Sequence, residues 1–213
     1  MLFKYPDLRV LLFAKEPVYG QVKTRLHDAI GVKKAYDLHC SMLRYQVNNI
    51  LDSGLAPMEL WVSGNLGNPV LKSLPMDGHV YQQVGRDLGR RMQSAVVAAK
   101  SRSDAVVLVG TDCPSVDREY LESALELLSA GRQLVIGPAE DGGYVLLGIR
   151  ENLPRLFEDI PWGTDKVLPL TLERANQLKL DIELLPSRWD VDRPEDLARL
   201  ATLNPPLGLD GCG

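Results

Sequence analysis

Residues 106–115 read VVLVGTDCPS: an apolar, β-branched run stops at Gly110 and delivers a single carboxylate, Asp112, two residues before Pro114. A hard divalent cation is held by one or two carboxylates together with substrate phosphates, so an acid at a strand end could hold a metal. It could equally cap the chain by accepting from the amides of Ser115 or Val116. The segment AKEPVYGQVKTRL sets Lys15, Lys23 and Arg25 around Gly20. Such cations and backbone amides are what a polyphosphate needs, although a solvated surface loop explains them as well. The segment matches neither G-x-x-x-x-G-K-[ST] nor G-x-G-x-x-G, so it supports neither that ATPase loop nor a dinucleotide site. In QQVGRDLGRRM, Gly85 and Gly89 stand beside Arg86, Arg90 and Arg91. Glycines let a backbone approach a ligand closely. Arginines in a first helical turn oppose the helix dipole unless an anion joins them. AEDGGY reads as a hairpin turn with Glu140 and Asp141 in solvent, or Asp141 is a catalytic or acceptor-binding carboxylate. WDVDRPEDL supplies Asp190 and Asp192; Asp192 suits an N-cap before Pro194, or a second metal ligand on the same rim. Cys113 reads as a small buried hydrophobe, and His27, His39 and His79 as surface or core residues and not ligands.

These groups need a frame that brings them together. Apolar runs predict strands at 9–14, 58–63, 79–84, 105–110, 133–137, 144–149 and 180–185. Helical spacing predicts helices over about 32–51, 88–100, 117–130 and 194–201, with a further stretch from 162 that becomes helical after Pro169 and runs to 178. Gly54 and Gly131 are stop signals, and Asp117 is a cap. Alternating strands and helices imply a largely parallel sheet with helices on both faces. Ligands bind such sheets at the carboxyl ends of the strands. Lys15, Lys23 and Arg25 follow the first strand, Asp112 the fourth, and Asp190 and Asp192 the last, while Asp141 lies between the fifth and sixth. All of them could converge on one rim.

The 213 residues suit a single domain, and a chain of this size buries about 70% of its unfolded surface without staples. A net charge of -4 argues against a nucleic-acid footprint. The three cysteines, Cys40, Cys113 and Cys212, have no paired metal-ligand spacing and point to a reducing compartment. The apolar run near the N-terminus has no cleavage site after it and reads as a core strand. No stretch is long and apolar enough to span a bilayer, so the expected location is the cytoplasm. Residues 1–204 are expected to form the domain and 205–213 a loose tail.

Taken in order, AK-x-P-x-x-G-x-VKTRL, DLG-x-RM, GTDCP, EDGGY, PWGT and DVD-x-PEDL resemble a bacterial family of GT-A-like transferases. Its members are described as nucleotide-diphospho-sugar transferases or glycosyltransferases, some associated with radical-SAM or selenoprotein domains. The resemblance runs from about Val10 to Leu200. It implies a nucleotide-binding three-layer α/β/α sandwich with a mainly parallel mixed sheet. It implies that the first loop, with Ala14, Lys15, Gly20, Lys23 and Arg25, binds nucleotide phosphates; Gly85 and Arg91 complete the expected nucleotide set. It implies that Asp112 binds Mg²⁺ or Mn²⁺, with Asp192 or Asp190 as a late second ligand. Asp112 and Asp141 are the expected catalytic carboxylates, and the partners are a nucleotide or nucleotide sugar and a hydroxyl acceptor. GTDCP carries one acid where glycosyltransferases carry D-x-D, which leans towards a nucleotidyltransferase metal site. The first loop lacks the G-G-x-G of sugar nucleotidyltransferases. Glycosyl transfer, nucleotidyl transfer with release of pyrophosphate, and idle nucleotide binding all remain open at this point.

Overall fold

The computed structural model describes residues 2–203, 206 and 207. Its strands are β1 (Leu8–Lys15), β2 (Met58–Ser63), β3 (Val80–Gln82), β4 (Ala105–Gly110), β5 (Leu134–Pro138), β6 (Tyr144–Ile149) and β7 (Ile182–Leu184). They form one sheet in the order β3-β2-β1-β4-β6-β5-β7. Every pairing is parallel except those of β6, which runs antiparallel to both β4 and β5. The helices are α1 (His27–Ser53), α2 (Pro69–Lys72), α3 (Leu88–Lys100), α4 (Arg118–Ser129) and α5 (Val167–Gln177), with 3-10 turns at Thr24–Leu26, Pro154–Phe157 and Pro194–Thr202.

The central strands are apolar almost without interruption because both faces are covered. Val10, Leu12 and Val107 pack with Leu43, Val47 and Leu125 on the α1 and α4 side. Leu11, Val106 and Ile136 pack with Ala95, Ala99 and Ala175 on the α3 and α5 side. Alternate residues of β1 therefore feed opposite layers, which makes the expected α/β/α sandwich. A third cluster joins Leu26, Leu38 and Met42 to Val191 and Leu200, tying the start of α1 to the last segment of the chain. Among the described residues no helix is long and apolar enough to cross a membrane.

Several boundaries differ from the sequence reading. The helix expected at 32–51 begins at His27 and is broken at Gly31, whose φ of 81° and ψ of 156° are not helical. The α5 helix starts at Val167, so Pro169 lies inside its first turn, where its missing N–H leaves no bond unmade. The strand expected at 79–84 is only Val80–Gln82. The short α2 helix was not expected; the Asn68 side chain caps it by accepting from the Val70 amide. The closing segment is a 3-10 turn and not an α-helix, and Asp192 does not cap it. The cap is instead the Asp196 carboxylate, which accepts from the amides of Arg193 (2.7 Å) and Asp192 (3.0 Å). Apart from 206 and 207, the tail expected at 205–213 lies outside the described residues.

One buried acid braces the sheet. Glu59 on β2 is 1% exposed and accepts from Arg102 Nε and Nη2, both at 2.9 Å, and from Trp61 Nε1 at 3.1 Å. Arg9 on β1 approaches it at 3.6 Å. Removing one partner of a buried pair leaves the other charge uncompensated. Because Arg102 is partly exposed, Glu59→Ala is expected to lose about 3 kcal/mol of stability, read as a lower urea midpoint. An unchanged midpoint would show that the pair is not a brace.

Candidate functional site

The β1–β4 ladder continues one residue beyond β4, where the Thr111 amide donates to the Phe13 carbonyl at 3.1 Å. The chain then turns. Gln46 of α1 donates to the Cys113 carbonyl, and the Val191 amide donates to the Asp112 carbonyl at 2.9 Å. The backbone of Asp112 is thus fixed from both sides. Its carboxylate is not a cap, because the Val116 amide donates to the Cys113 carbonyl at 3.1 Å. Instead Oδ1 is buried 2.8 Å from Lys23 Nζ, while the side chain as a whole is 50% exposed. Burial works against the charge on Asp112, but the Lys23 ammonium, with His39 and Lys15 nearby, outweighs it and holds the carboxyl below its usual range.

The first loop supplies these cations in different ways. Lys23 sits in the left-handed region (φ 48°), its side chain is only 4% exposed, and its Nζ also donates to the Val191 carbonyl. Arg25 pairs with Asp192. Lys15 Nζ donates to the Gln21 carbonyl at 2.7 Å. Gly20 makes a left-handed turn (φ 76°). The Lys15 carbonyl accepts from His39 Nε2 at 3.0 Å. Burial pushes the His39 imidazolium down, with Asp112 pulling the other way.

EDGGY is both a hairpin turn and part of the site. Asp141 Oδ1 accepts from the Gly143 amide at 2.9 Å, and the Gly142 amide donates to the Ala139 carbonyl at 3.3 Å. At Gly142 (φ 91°) a Cβ would lie 2.6 Å from the Asp165 carbonyl oxygen, so only glycine lets the 161–165 loop dock there. Glu140 does not stand free in solvent: Arg199 grips it with two 2.7 Å bonds and lies over the Trp189 ring. Asp190 is pushed up to about 6, first by burial and then by the carboxylates of Asp141 and Asp112.

On the other side, Asp87 caps α3 by accepting from the Arg90 amide at 2.8 Å. It supplies the negative charge expected near the first-turn arginines. Gly85 (φ 149°) lets the backbone double back against Arg90 and Arg91. Arg91 donates to the Gly85 carbonyl at 3.1 Å and to Ser63 Oγ at 3.0 Å, with no carboxylate partner among the described residues. At Gly89 a Cβ would stand 2.7 Å from the Trp162 indole, so the missing side chain admits that ring.

A cleft runs along this rim in three linked parts. An inner compartment of about 340 Å³ is lined by Ala14, Lys15, His39, Gln83, Arg91 and Asp112. A middle compartment of about 180 Å³ has walls of Leu88, Cys113, Tyr144 and Trp162, with Asp141 and Asp190 at its mouth. An outer basin of about 500 Å³ holds Arg25, Asp141, Asp165, Asp190, Asp192 and Arg199. Leu88 joins the first two parts, and Asp141 and Asp190 join the last two. Of the residues expected from the sequence to bind nucleotide or metal or to act in catalysis, Gly20, Lys23 and Gly85 do not line these parts. Sequence reasoning gave no role to His39, Gln83, Tyr144, Trp162 or Arg199; the only signals were Gln83 inside QQVGRDLGRRM, Tyr144 inside EDGGY and Trp162 inside PWGT. A separate groove of about 460 Å³ behind the GTDCP turn, lined by Tyr45, Asn49, Arg118 and Arg188, contains none of the expected site residues.

Among the described residues, no three His, Cys, Asp or Glu side chains come close enough to cage a metal. The donors still suit a hard cation of the kind that takes one or two carboxylates and completes its shell with phosphate oxygens and water. Asp112 is half exposed, and Asp190 feels the charge of both Asp112 and Asp141.

Residues 46–164 match the family described as an uncharacterized protein conserved in bacteria (DUF2064). A crystal structure from Desulfovibrio desulfuricans G20, described as a "putative nucleotide-diphospho-sugar transferase", is 32% identical, covers 88% of this chain and 83% of its own, and superposes with a TM-score of 0.81. The fold alone is shared with more distant proteins. Rv0371c from Mycobacterium tuberculosis H37Rv, in complex with manganese, is 17% identical over 93% of this chain and 100% of its own, with a TM-score of 0.59. The inositol-1-phosphate CTP transferase from T. maritima is 17% identical over 90% of this chain and 91% of its own, with a TM-score of 0.52. No curated protein matches this sequence.

The crowding of acids predicts a pH signature. With a folded value near 6 against an ordinary 3.8, Asp190 holds its proton more tightly in the folded chain. The stability this contributes is present at low pH and lost as pH rises through about 6. Asp190→Asn is therefore expected to be more stable than the wild type by about 1–2 kcal/mol at neutral pH, after solvent screening, and equal to it near about pH 3. Urea unfolding at both values checks this; a constant difference would show that Asp190 is not repelled by its neighbours.

Proposed function

This chain belongs to the bacterial DUF2064 family, and from that membership and its cleft we propose a metal-dependent transferase acting on a nucleotide-activated substrate. The reaction we favour is glycosyl transfer from a nucleotide-diphospho-sugar. The observation that carries this choice is the middle compartment, a small aromatic-walled space between a nucleotide-sized pocket and an acidic basin. The Tyr144 and Trp162 rings meet edge-on with centroids 6.3 Å apart. An apolar wall with carboxylates at its mouth suits a sugar ring, whose C–H face packs on an aromatic and whose hydroxyls donate to acids.

In this reading the inner compartment takes the nucleoside. Gln83 is fixed there because its amide nitrogen donates to the Ala14 and Trp61 carbonyls at 3.2 and 2.9 Å. Its oxygen is left to accept from a base. Lys15 and Arg91 line the same compartment and offer cations to the phosphates. Asp112, with Asp190 or Asp192, would hold Mg²⁺ or Mn²⁺, which when bound neutralises charge on the departing diphosphate. Asp141 opens onto both the middle compartment and the basin, so it can take the proton of an acceptor hydroxyl entering from the basin. Asp190 lines the same two compartments, with a value of about 6.

Nucleotidyl transfer is the second reading. It is favoured by the single acid in GTDCP and by the fold shared with CTP-using enzymes. The two reactions leave different products: a nucleoside diphosphate in one, pyrophosphate in the other. Incubation of the protein with Mn²⁺, nucleotide sugars, nucleoside triphosphates and a pool of hydroxyl acceptors should release diphosphate from a sugar. Asp112→Asn should cut that release at least a hundredfold, because the interaction lost is largest in the transition state. Pyrophosphate from a triphosphate, with no diphosphate from any sugar, reverses the choice. Nucleotide binding without either product means an idle binding protein.

A further inference from the structure

We propose that Lys23 is a resident counter-ion of Asp112 that keeps a divalent cation out until nucleotide phosphates draw it away, so that metal and nucleotide must enter together. This rests on the reading of the cleft as a nucleotide site, and it gives Lys23 a task distinct from that of Lys15 and Arg91. Those two line the inner compartment, whereas Lys23 lies behind the acid with its side chain 4% exposed.

The geometry supports this in three ways. First, the ammonium stands 2.8 Å from the buried oxygen of Asp112 and also bonds the Val191 carbonyl, so it occupies the inner side of the carboxylate. A divalent cation on the outer oxygen would face that positive charge across a single carboxylate, and like charges this close in a partly buried site repel strongly. Second, Lys23 is placed to leave without unfolding the loop. It sits on a four-carbon stem, and the residues after it are held independently: Arg25 by Asp192, and Leu26 in the third apolar cluster. Third, its departure removes the one cation that stands within ion-pair distance of Asp112 among the described residues. A divalent cation then becomes the favoured replacement. A phosphate arriving above Asp112 offers the ammonium a stronger partner and offers the metal its missing oxygens.

Lys23 is thus a positioning residue, and its removal should produce a gain that loss of a structural bond cannot. Mn²⁺ titrations of the nucleotide-free protein, followed by electron paramagnetic resonance, should show at least a tenfold higher affinity in Lys23→Met than in the wild type. Lys23→Arg, which keeps the charge, should behave as the wild type. Adding Asp112→Asn to Lys23→Met should abolish the gain. A folded Lys23→Met that binds Mn²⁺ no better than the wild type overturns the proposal. Should Lys23→Met fail to fold, nitrogen NMR of the wild-type lysine side chains decides the matter. A slowly exchanging Lys23 ammonium resonance that moves when nucleoside diphosphates and Mn²⁺ are added supports the proposal, and the absence of any protected ammonium in the free protein overturns it. If Lys23→Met gains Mn²⁺ while none of the common nucleoside diphosphates changes Mn²⁺ binding to the wild type, the Lys23–Asp112 exclusion stands and the nucleotide reading fails.

Discussion

Asp112, Asp141 and Asp190 converge on one edge of the sheet and must be held there against their own repulsion. Much of what is unusual in this chain answers that requirement. Lys23 is buried behind Asp112 in a left-handed backbone position that lysine rarely adopts. Asp190 remains under-compensated and is pushed towards neutrality. The flanking acids Glu140 and Asp192 are removed from the problem by Arg199 and Arg25. Those two arginines are also brackets, since they join the EDGGY turn and the first loop to the final segment of the chain. The buried contact of Leu26 with Val191 and Leu200 keeps the bracketed pieces in register. The charge arrangement and the small apolar cluster are therefore two parts of one device.

The sheet explains why residues so far apart in sequence can meet. In a wholly parallel sheet only strand ends and the loops after them reach the carboxyl edge. Here β6 runs the other way between β4 and β5. Its first residue, Tyr144, starts at that edge instead of ending at the opposite one. The antiparallel strand thus places the hairpin acids beside Asp112 and turns an aromatic into the cleft. Gly142 and Gly89 complete the arrangement by giving up the space that Asp165 and Trp162 fill. The PWGT loop is pinned to both sides of the cleft at positions where any side chain would collide.

The central strands were legible because continuous apolar runs leave no other placement for β1, β2, β4 and β6, and Asp117 was legible as a cap because capping is local. The contents of the rim were legible only as residue types. A lysine buried against an acid 89 positions away looks, in sequence, the same as a lysine in solvent. The resemblance supplied the order of the motifs, but not the pairing of Arg25 with Asp192 or of Arg199 with Glu140, which depends on how the chain returns to the rim. Asp192 illustrates the limit. Local rules made it a cap before Pro194, yet Asp196 does that work one turn later, because its carboxylate reaches back to two free amides at once. Trp162 was visible within the PWGT motif, but its docking place was not: that place is a glycine, Gly89, which leaves no pattern of its own.

The same charge arrangement bears on which groups the basin can receive. A phosphorylated acceptor would have to approach Asp141, Asp165 and Asp190 together. Of the three guanidiniums that line the basin, Arg25 and Arg199 are already paired with Asp192 and Glu140, which leaves Arg193 against the remaining acids. An anion entering there would have Arg193 alone to set against Asp141, Asp165 and Asp190, unless it broke one of those pairs. A neutral hydroxyl meets the opposite condition, since every carboxylate in its path is an acceptor for its proton. In the proposed reading the phosphates of a nucleotide would avoid the difficulty by entering at the other end, where Lys15 and Arg91 line the wall and Lys23 lies behind Asp112. The cleft is polarised along its length, cationic where a leaving group would depart and anionic where a nucleophile would arrive, and that polarity is the strongest physical argument for a hydroxyl as the group that attacks.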